Sequence, residues 1–444
     1  MIKTTSDELI KLLLPRKMHN RPEEAIEIDS VSIDTRTLKP GDVFVALRGK
    51  NFDGNIFIKS AYAKGAVLAI VERIDPYVPV AQFEVGDALE ALSMIAAMNR
   101  RRSGADFVAV TGSYGKTTVK DMAAAIFSSC GSCVATAANE NNIIGVCKTI
   151  LSVSENTEFV VIEMGTNHPG EIAEIAQVAQ PESVAITGIG LSHSEFLGDV
   201  NGILREKLSV FDVCPEAMGV FSAHDKSLAA IEKRSPVSYY GRDEKNNFFF
   251  TDLKMDRDKI WIKVNGYLDL VLNTVSEYNV FNALAAVALC VSAGIDISAA
   301  VDGLKGFVFP SMRMEVIKRS GITYINDAYN ANPVSMAAAI RSLIKYPSKR
   351  RIAVVADMLE LGRFSEREHE DIICLLRAQE IDFVFLLGPA MHKAYVNSTE
   401  DAKFRYFESK EEVKDNLNCI LKKGDVILLK GSRAFKLETI LIEE

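Results

Sequence analysis

No uninterrupted apolar stretch in this 444-residue chain approaches the ~18 residues that would cross a bilayer, so no membrane insertion is expected. The opening residues, Met1-Ile-Lys-Thr-Thr-Ser-Asp-Glu8, lack an apolar signal core. Asp7 and Glu8 stand where one would begin, and a cytoplasmic location is expected. Positive charge is not in excess: 51 Lys and Arg against 59 Asp and Glu leave −8, which argues against partnership with nucleic acid through backbone neutralisation. Cysteine is sparse, and its seven scattered copies suit a reducing compartment. Cys130-Gly-Ser-Cys133 has no second pair and no histidine at zinc spacing, and reads as two ordinary cysteines. There is no G-x-G-x-x-G, which disfavours dinucleotide binding, and no internal repeat or low-complexity tract.

What is present is an ordinary globular composition, 48% hydrophobic and 25% charged, long enough for two to four domains. The chain is organised around Phe107-Val-Ala-Val-Thr-Gly-Ser-Tyr-Gly-Lys-Thr-Thr118. Phe107 to Val110 is a buried strand by its apolar run, and a helix is predicted from Val119 to Ser128. Between them Gly112 and Gly115 let bare N–H groups approach anionic oxygens, with Ser113 and Thr118 in the same turn. Lys116 supplies a point charge, and the Thr117 hydroxyl suits a Mg²⁺ position. The two glycines are separated by two residues rather than the four of a standard P-loop, so an ordinary strand-to-helix connection is the competing reading.

Before this loop, residues 1 to 82 read as a small α/β unit. Strands are predicted over Val31–Arg36, Val43–Leu47 and Ala66–Val71, a helix over 56–64, and a polar glycine loop over Arg48–Gly54. Arg36 and Arg48 end neighbouring strands and form a candidate anion site, against a plain reading of solvated loops. Ile74 to Pro79, with two prolines, reads as a linker to a second domain, 83–309. There Thr136–Gly145 is a loop rich in donors and acceptors, with Asn139, Asn141 and Asn142. Phe159–Gly165 is a strand ending in the carboxylate of Glu163, where a nucleotide-bound Mg²⁺ can be held. His193 lies in a polar loop, Lys207 on a helix over 202–211, and Asn279 and Asn282 share a face of a helix over 277–290, where capping by Asn279 is the plain alternative. Residues 236–275 read as β-hairpins on a domain flank. The last unit, 310–444, alternates strands and helices as a Rossmann-like parallel sheet, with polar loops at 326–333, 357–362 and 430–433.

These motifs together resemble the Mur ligase family of ATP-dependent amide-bond ligases. The likeness is densest in 31–54, 107–211 and 310–435 and sparse in 220–275. It rests on Asp34-Thr-Arg…Asp53-Gly54, the shortened glycine loop, Asn139-Glu-Asn-Asn-Ile-Ile-Gly145, Glu163-Met-Gly-Thr-Asn-His-Pro-Gly170, and the three C-terminal loops. The resemblance implies an α/β fold of three domains: a UDP-binding N-terminal unit, a central ATPase unit with a mostly parallel sheet, and a Rossmann-like C-terminal unit. It implies that Thr35, Arg36, Arg48 and Asp53 contact a UDP-linked substrate, together with Asn139, Asn141, Asn142, Asn330 and Asn332. Lys430, Ser432 and Arg433 would lie near the incoming amine.

The same resemblance assigns Asn279 and Asn282 to adenine, and Arg313 and Asp327 to the ATP ribose. Lys116, Glu163, His193 and Lys207 become the catalytic set. Two Mg²⁺ ions are implied, on Thr117 with Glu163 and on His193 with Lys207 as a carbamate. The branch most similar adds D-Ala-D-Ala to UDP-N-acetylmuramoyl-tripeptide, and a monomer is expected. The chain departs from the family pattern at Asn55, Cys147, Gly188 and Tyr278. Those departures motivate a sister ligase with another carboxylate and amine; a non-catalytic nucleotide-binding partner is the other alternative.

Overall fold

The computed structural model describes residues 1–49, 52–231, 236–399 and 401–441. Its core is three sheets of five, nine and six strands, each mostly parallel and packed against layers of helix. The α/β class and three-unit architecture are therefore as expected. The first sheet has the order Lys17–His19, Ala81–Glu84, Leu68–Val71, Val43–Val45, Val31–Ser32.

Several expectations for this unit need correction. The predicted strand Val31–Arg36 stops at Ser32, because Asp34 opens a turn: its carbonyl accepts from Thr37 and Leu38 N–H at 3.1 Å, and its Oδ1 from Arg36 N–H at 2.8 Å. In the predicted loop Arg48–Gly54, Arg48–Gly49 pairs with Phe52–Asp53, and Lys50 and Asn51 lie outside the described residues. The segment 74–79 connects two neighbouring strands of one sheet instead of linking domains. Buried Gln82 clasps it, donating to Asp75 O at 2.8 Å and accepting from Asp75 N–H at 2.9 Å. A boundary at 82 thus falls inside the strand Ala81–Glu84, and the first sheet runs to Glu84.

The central sheet runs Cys133–Ala135, Phe159–Glu163, Asp106–Thr111, Ser183–Ile186, Met218–Ser222, Val237–Gly241, Phe248–Asp256, Lys259–Val264, Leu268–Leu272. Pairing is parallel as far as Phe248–Asp256, and the last two pairings are antiparallel. The hairpins expected in 236–275 thus extend the central sheet. Strand Asp106–Thr111 is covered on both faces, as a near-continuous apolar run requires. Phe107 and Ala109 pack toward helices Ala88–Arg102, Ile143–Leu151 and Glu171–Ala179, and Val108 and Val110 toward Lys116–Cys130 and Tyr278–Ser292. Each such large apolar side chain contributes about 1.5–3 kcal/mol on burial. The asparagine loop ends earlier than expected: Asn142 caps the helix Ile143–Leu151, accepting from Gly145 N–H at 2.9 Å.

The third sheet runs Glu315–Arg319, Ile322–Asp327, Asp425–Lys430, Arg350–Ala356, Phe383–Leu387, Phe404–Phe407. It is parallel except for its first pair. Edge strands Glu315–Arg319 and Phe404–Phe407 went unpredicted, being short and half polar. No helix among the described residues is long and apolar enough to cross a membrane.

Candidate active site

The carboxyl ends of the central parallel strands open onto a cleft of about 460 Å³, closed from the other side by the third sheet's loops. Strand Asp106–Thr111 ends in the glycine turn, and helix Lys116–Cys130 starts from it with its N–H groups facing the cleft. Gly112 has φ 148° and Gly115 φ 78°, a left-handed backbone that a side chain would strain. A Cβ on Gly115 would also come within 2.7 Å of Asn282 Oδ1. Lys116 is half-buried, and its ammonium donates to Gly112 O at 2.9 Å, folding the charge back over the turn. Burial, opposed by Glu163 and assisted by Arg313, lowers its pKa.

Glu163 ends its strand beside this turn, almost wholly buried. Its Oε1 accepts from the Thr117 hydroxyl at 3.2 Å and from Asn141 Nδ2 at 2.8 Å; its Oε2 is buried without a hydrogen-bond partner. An ionised carboxylate oxygen withheld from water is costly unless something binds it. Together with the adjacent hydroxyl, that orphaned oxygen forms a hard donor set of the kind Mg²⁺ prefers, so these residues fit the ion.

His193 lines the same cleft, and Lys207 is 2% exposed on helix Val200–Val213. Desolvation holds the Lys207 pKa well below the ordinary lysine value, with nearby Lys116 pushing the same way and Glu206 opposing. A lowered pKa yields the neutral amine that CO₂ requires for carbamate formation. The His193 pKa is lowered too, first by burial and then by Lys116 and Lys207, against Glu360.

On helix Tyr278–Ser292 the two asparagines are joined: Asn282 Nδ2 donates to Asn279 Oδ1 at 3.0 Å, and Asn279 Nδ2 to Thr274 Oγ1 at 2.8 Å. Asn279 therefore lies within the helix and does not cap it. Tyr278 meets Tyr114 edge to face, ring centroids 5.3 Å apart, and burial pushes the Tyr114 pKa up to about 12. A Cβ at position 188 would sit 2.2 Å from the Tyr114 hydroxyl, so glycine is what fits opposite this tyrosine. The departures at Gly188 and Tyr278 are thus one local arrangement. Cys147 is buried in helix Ile143–Leu151, near the Ser93 hydroxyl and away from the cleft lining.

The C-terminal unit completes the wall. Arg313 donates to Thr117 Oγ1 at 2.9 Å and lies 4.1 Å over the Tyr329 ring. Asp327 pairs with Lys430, Nζ to Oδ2 2.6 Å, and Lys430 also donates to Asn330 O at 3.0 Å. Asn332 caps helix Pro333–Lys345 while its Nδ2 donates to Ser113 O at 3.1 Å, tying that helix to the glycine turn.

Of the residues singled out in the sequence, Thr118, Asn139, Asn141 and Asn142 also line the cleft, as do Asn330 and Lys430. Ser432 and Arg433 do not. Buried Ser432 accepts from Leu359 N–H at 2.8 Å, and Arg433 pairs with Glu438 at 2.7 Å. Thr35, Arg36, Arg48 and Asp53 lie in the first unit and contribute nothing to this lining. Arg36 is held by Asp34, Asp53 caps the turn at Asn55, and the Thr35 carbonyl accepts from Lys64. Sequence reasoning missed Tyr114, Thr166, Tyr329 and Glu360. All four stood inside stretches singled out in the sequence, but spacing carries no sign that a tyrosine packs opposite Gly188 or that a carboxylate crosses to another unit.

Three stretches match Mur ligase domains: residues 27–100 the Mur ligase family catalytic domain, 110–290 the middle domain, and 312–433 the glutamate ligase domain. The UDP-N-acetylmuramoyl-tripeptide–D-alanyl-D-alanine ligase of Bacillus subtilis (strain 168) is 33% identical, covering 99% of this chain and 98% of that protein. The corresponding Escherichia coli (strain K12) ligase is also 33% identical, over 94% and 93%. Among solved structures, MurF from Acinetobacter baumannii superposes with a TM-score of 0.90 at 28% identity, covering 99% of this chain and 98% of that one. Thermotoga maritima MurF in complex with ADP does so at 0.82 and 26%, covering 93% and 96%.

Proposed function

The chain belongs to the Mur ligase family, and from that premise we propose its reaction and the part each cleft residue takes in it. It is an ATP-dependent ligase that joins D-alanyl-D-alanine to UDP-N-acetylmuramoyl-tripeptide in peptidoglycan precursor synthesis. The observation that carries the assignment of roles is the buried, half-satisfied carboxylate of Glu163 against the Thr117 hydroxyl at the mouth of the glycine turn.

The chemical difficulty is that a carboxylate repels nucleophiles and oxide is a poor leaving group. Transfer of the γ-phosphoryl of ATP to the tripeptide carboxylate makes an acyl phosphate. The amine of D-Ala-D-Ala then attacks its carbonyl carbon, the tetrahedral intermediate collapses, and inorganic phosphate leaves with the former carboxylate oxygen. The protein's work is positioning and charge neutralisation. Lys116 and the N–H groups at the start of helix Lys116–Cys130 hold the transferred phosphoryl group. Asn279 and Asn282 read the adenine edge, Asp327 and Arg313 hold the ribose, and Lys430 keeps Asp327 in place. Magnesium, when bound, neutralises the phosphate and carboxylate oxygens. Thr117 with Glu163 would hold one ion, and His193 with carbamylated Lys207 the second.

In this reading the first unit, redrawn to end at Glu84, binds the UDP moiety through Thr35, Arg36, Arg48 and Asp53. The central unit to residue 309 binds ATP, and 310–444 brings in the dipeptide with Ser432 and Arg433 at the periphery. Asn139, Asn141, Asn142, Asn330 and Asn332 line the substrate's path. The working state is a cytoplasmic monomer. The test is phosphate release from ATP and Mg²⁺ with each co-substrate omitted in turn. Release that requires both the UDP-tripeptide and D-Ala-D-Ala is expected; release with either one missing, or only with another carboxylate and amine, would remove the assignment.

A further inference from the structure

The central and C-terminal units meet along a second seam, residues 193–195 against 360–362. The Ser194 hydroxyl donates to Leu361 O at 3.0 Å and Glu195 N–H to Glu360 O at 3.3 Å. Beside them Glu360 Oε2 lies 2.6 Å from His193 Nδ1, although the ring N–H is not aimed along that line. Both residues have left-handed backbones, φ 52° at His193 and 64° at Glu360. Non-glycine residues in such conformations cost of order 1–3 kcal/mol and persist where the surroundings over-determine them.

The loop that presents Glu360 is fixed just ahead of it. Met358 N–H donates to Nε2 of the fully buried His369 at 3.0 Å, and the other ring nitrogen of His369 lies 2.6 Å from Ser365 O. Leu359 N–H donates to the Ser432 hydroxyl at 2.8 Å. Just beyond it, buried Leu361 offers its carbonyl to Ser194. An acidic side chain on so constrained a loop is poised against one nitrogen of a ring that lines the cleft. A carboxylate engaged with one imidazole nitrogen sets tautomer and orientation and leaves the other nitrogen to ligate.

We propose that Glu360 is a positioning residue for His193, delivered from the C-terminal unit to hold the ring by Nδ1 and leave Nε2 as an ion ligand, so that this ion site is complete only when the two units are docked. The proposal rests on the reading of His193 as a ligand and adds to it a residue from another unit.

The experiment is Mn²⁺ titration followed by electron paramagnetic resonance on full-length protein holding a non-hydrolysable ATP analogue and UDP-N-acetylmuramoyl-tripeptide. Wild type, Glu360→Ala, Glu360→Gln, Ser194→Ala and His193→Ala are compared. Wild type should bind two ions. Glu360→Ala should weaken the second about 10–100-fold and leave the first unchanged. Glu360→Gln, which keeps an acceptor oxygen, should recover most of the loss. Ser194→Ala, which removes one seam hydrogen bond but leaves Glu195 N–H on Glu360 O and the units docked, should bind as wild type does. Two tight ions in Glu360→Ala, or an equal loss in Ser194→Ala, overturns the positioning role. Two tight ions in His193→Ala overturns instead the reading of His193 on which it rests.

Discussion

The guanidinium of Arg313 reaches the hydroxyl of Thr117 at 2.9 Å, across 196 positions of chain and from one unit to another. Thr117 passes the contact on to Glu163 at 3.2 Å, so a cation from the C-terminal unit stands at the glycine turn. Hydrogen bonds to charged groups are worth about 1.5–3 kcal/mol, or roughly 10–100-fold. Arg313→Ala should weaken ATP binding by that factor, read by calorimetric titration. Arg313→Lys should recover little, because one ammonium cannot both span to Thr117 and stack over Tyr329. Unchanged ATP affinity in Arg313→Ala would refute a direct role.

Glu163→Gln removes a buried charge whose Oε2 lacks a protein partner. Without Mg²⁺ the variant should melt no lower than wild type, since an amide is less costly to bury than an unpaired carboxylate. The gain in melting temperature on adding Mg²⁺ and ATP should shrink sharply, and kcat should fall at least about 100-fold. A variant that keeps both the Mg²⁺-dependent gain and its turnover would exclude Glu163 as an ion ligand.

Lys207 carries a pH signature. Desolvation puts its pKa well below the ordinary value, so the unfolded chain holds the proton more tightly than the native one. Stability contributed at this position therefore rises with pH from the lowered native pKa toward about 10.4, and below that native pKa the full cost of burying the charge remains. Lys207→Met should be more stable than wild type to urea at pH 7, and the advantage should narrow by pH 9.5. Activity should be lost in Lys207→Ala and partly restored by small added carboxylates. Full activity in that variant without additives would exclude the carbamate.

The glycine turn and helix Tyr278–Ser292 touch. Gly115→Ala has to place a methyl 2.7 Å from Asn282 Oδ1 on a backbone at φ 78°. ATP affinity should fall while the fold, followed by circular dichroism, survives. Asn282→Ala should cut the preference for ATP over GTP by about tenfold, the scale of one lost base-edge contact of 1–3 kcal/mol. Equal discrimination in variant and wild type would move adenine elsewhere.

The Lys430–Asp327 pair is buried on the lysine side, and removing one partner strands the other. Lys430→Met should destabilise the protein by about 3–5 kcal/mol in chemical denaturation. The double change Lys430→Met with Asp327→Asn should recover a large part of that, because no unpaired charge then remains. If the double variant is no more stable than the single one, the pair is not what holds these two strand ends together.

How much of this was legible varied with the range of the interaction. The glycine turn and the terminal Glu163 were readable because a buried strand, a turn without side chains and a strand-end carboxylate each follow from a few consecutive residues. The strand expected at Val31–Arg36 failed on one Asx turn at Asp34, and the linker at 74–79 failed because Gln82, outside it, clasps it back into a sheet. Ser432 also braces the loop of Glu360, a contact that no short-range spacing announces.

By itself, the amino-acid order determined the strand–turn–helix units, the polar loops at their carboxyl ends and the family to which they belong, since these depend on local periodicity and on residue types at short spacing. Only the tertiary structure decided that Arg313 meets Thr117, that Tyr114 fills the space opposite Gly188, and that Glu360 stands against His193. Those contacts join distant segments through sheet order and the docking of separate units, and nothing in the spacing of a linear chain encodes which strand ends will face one another.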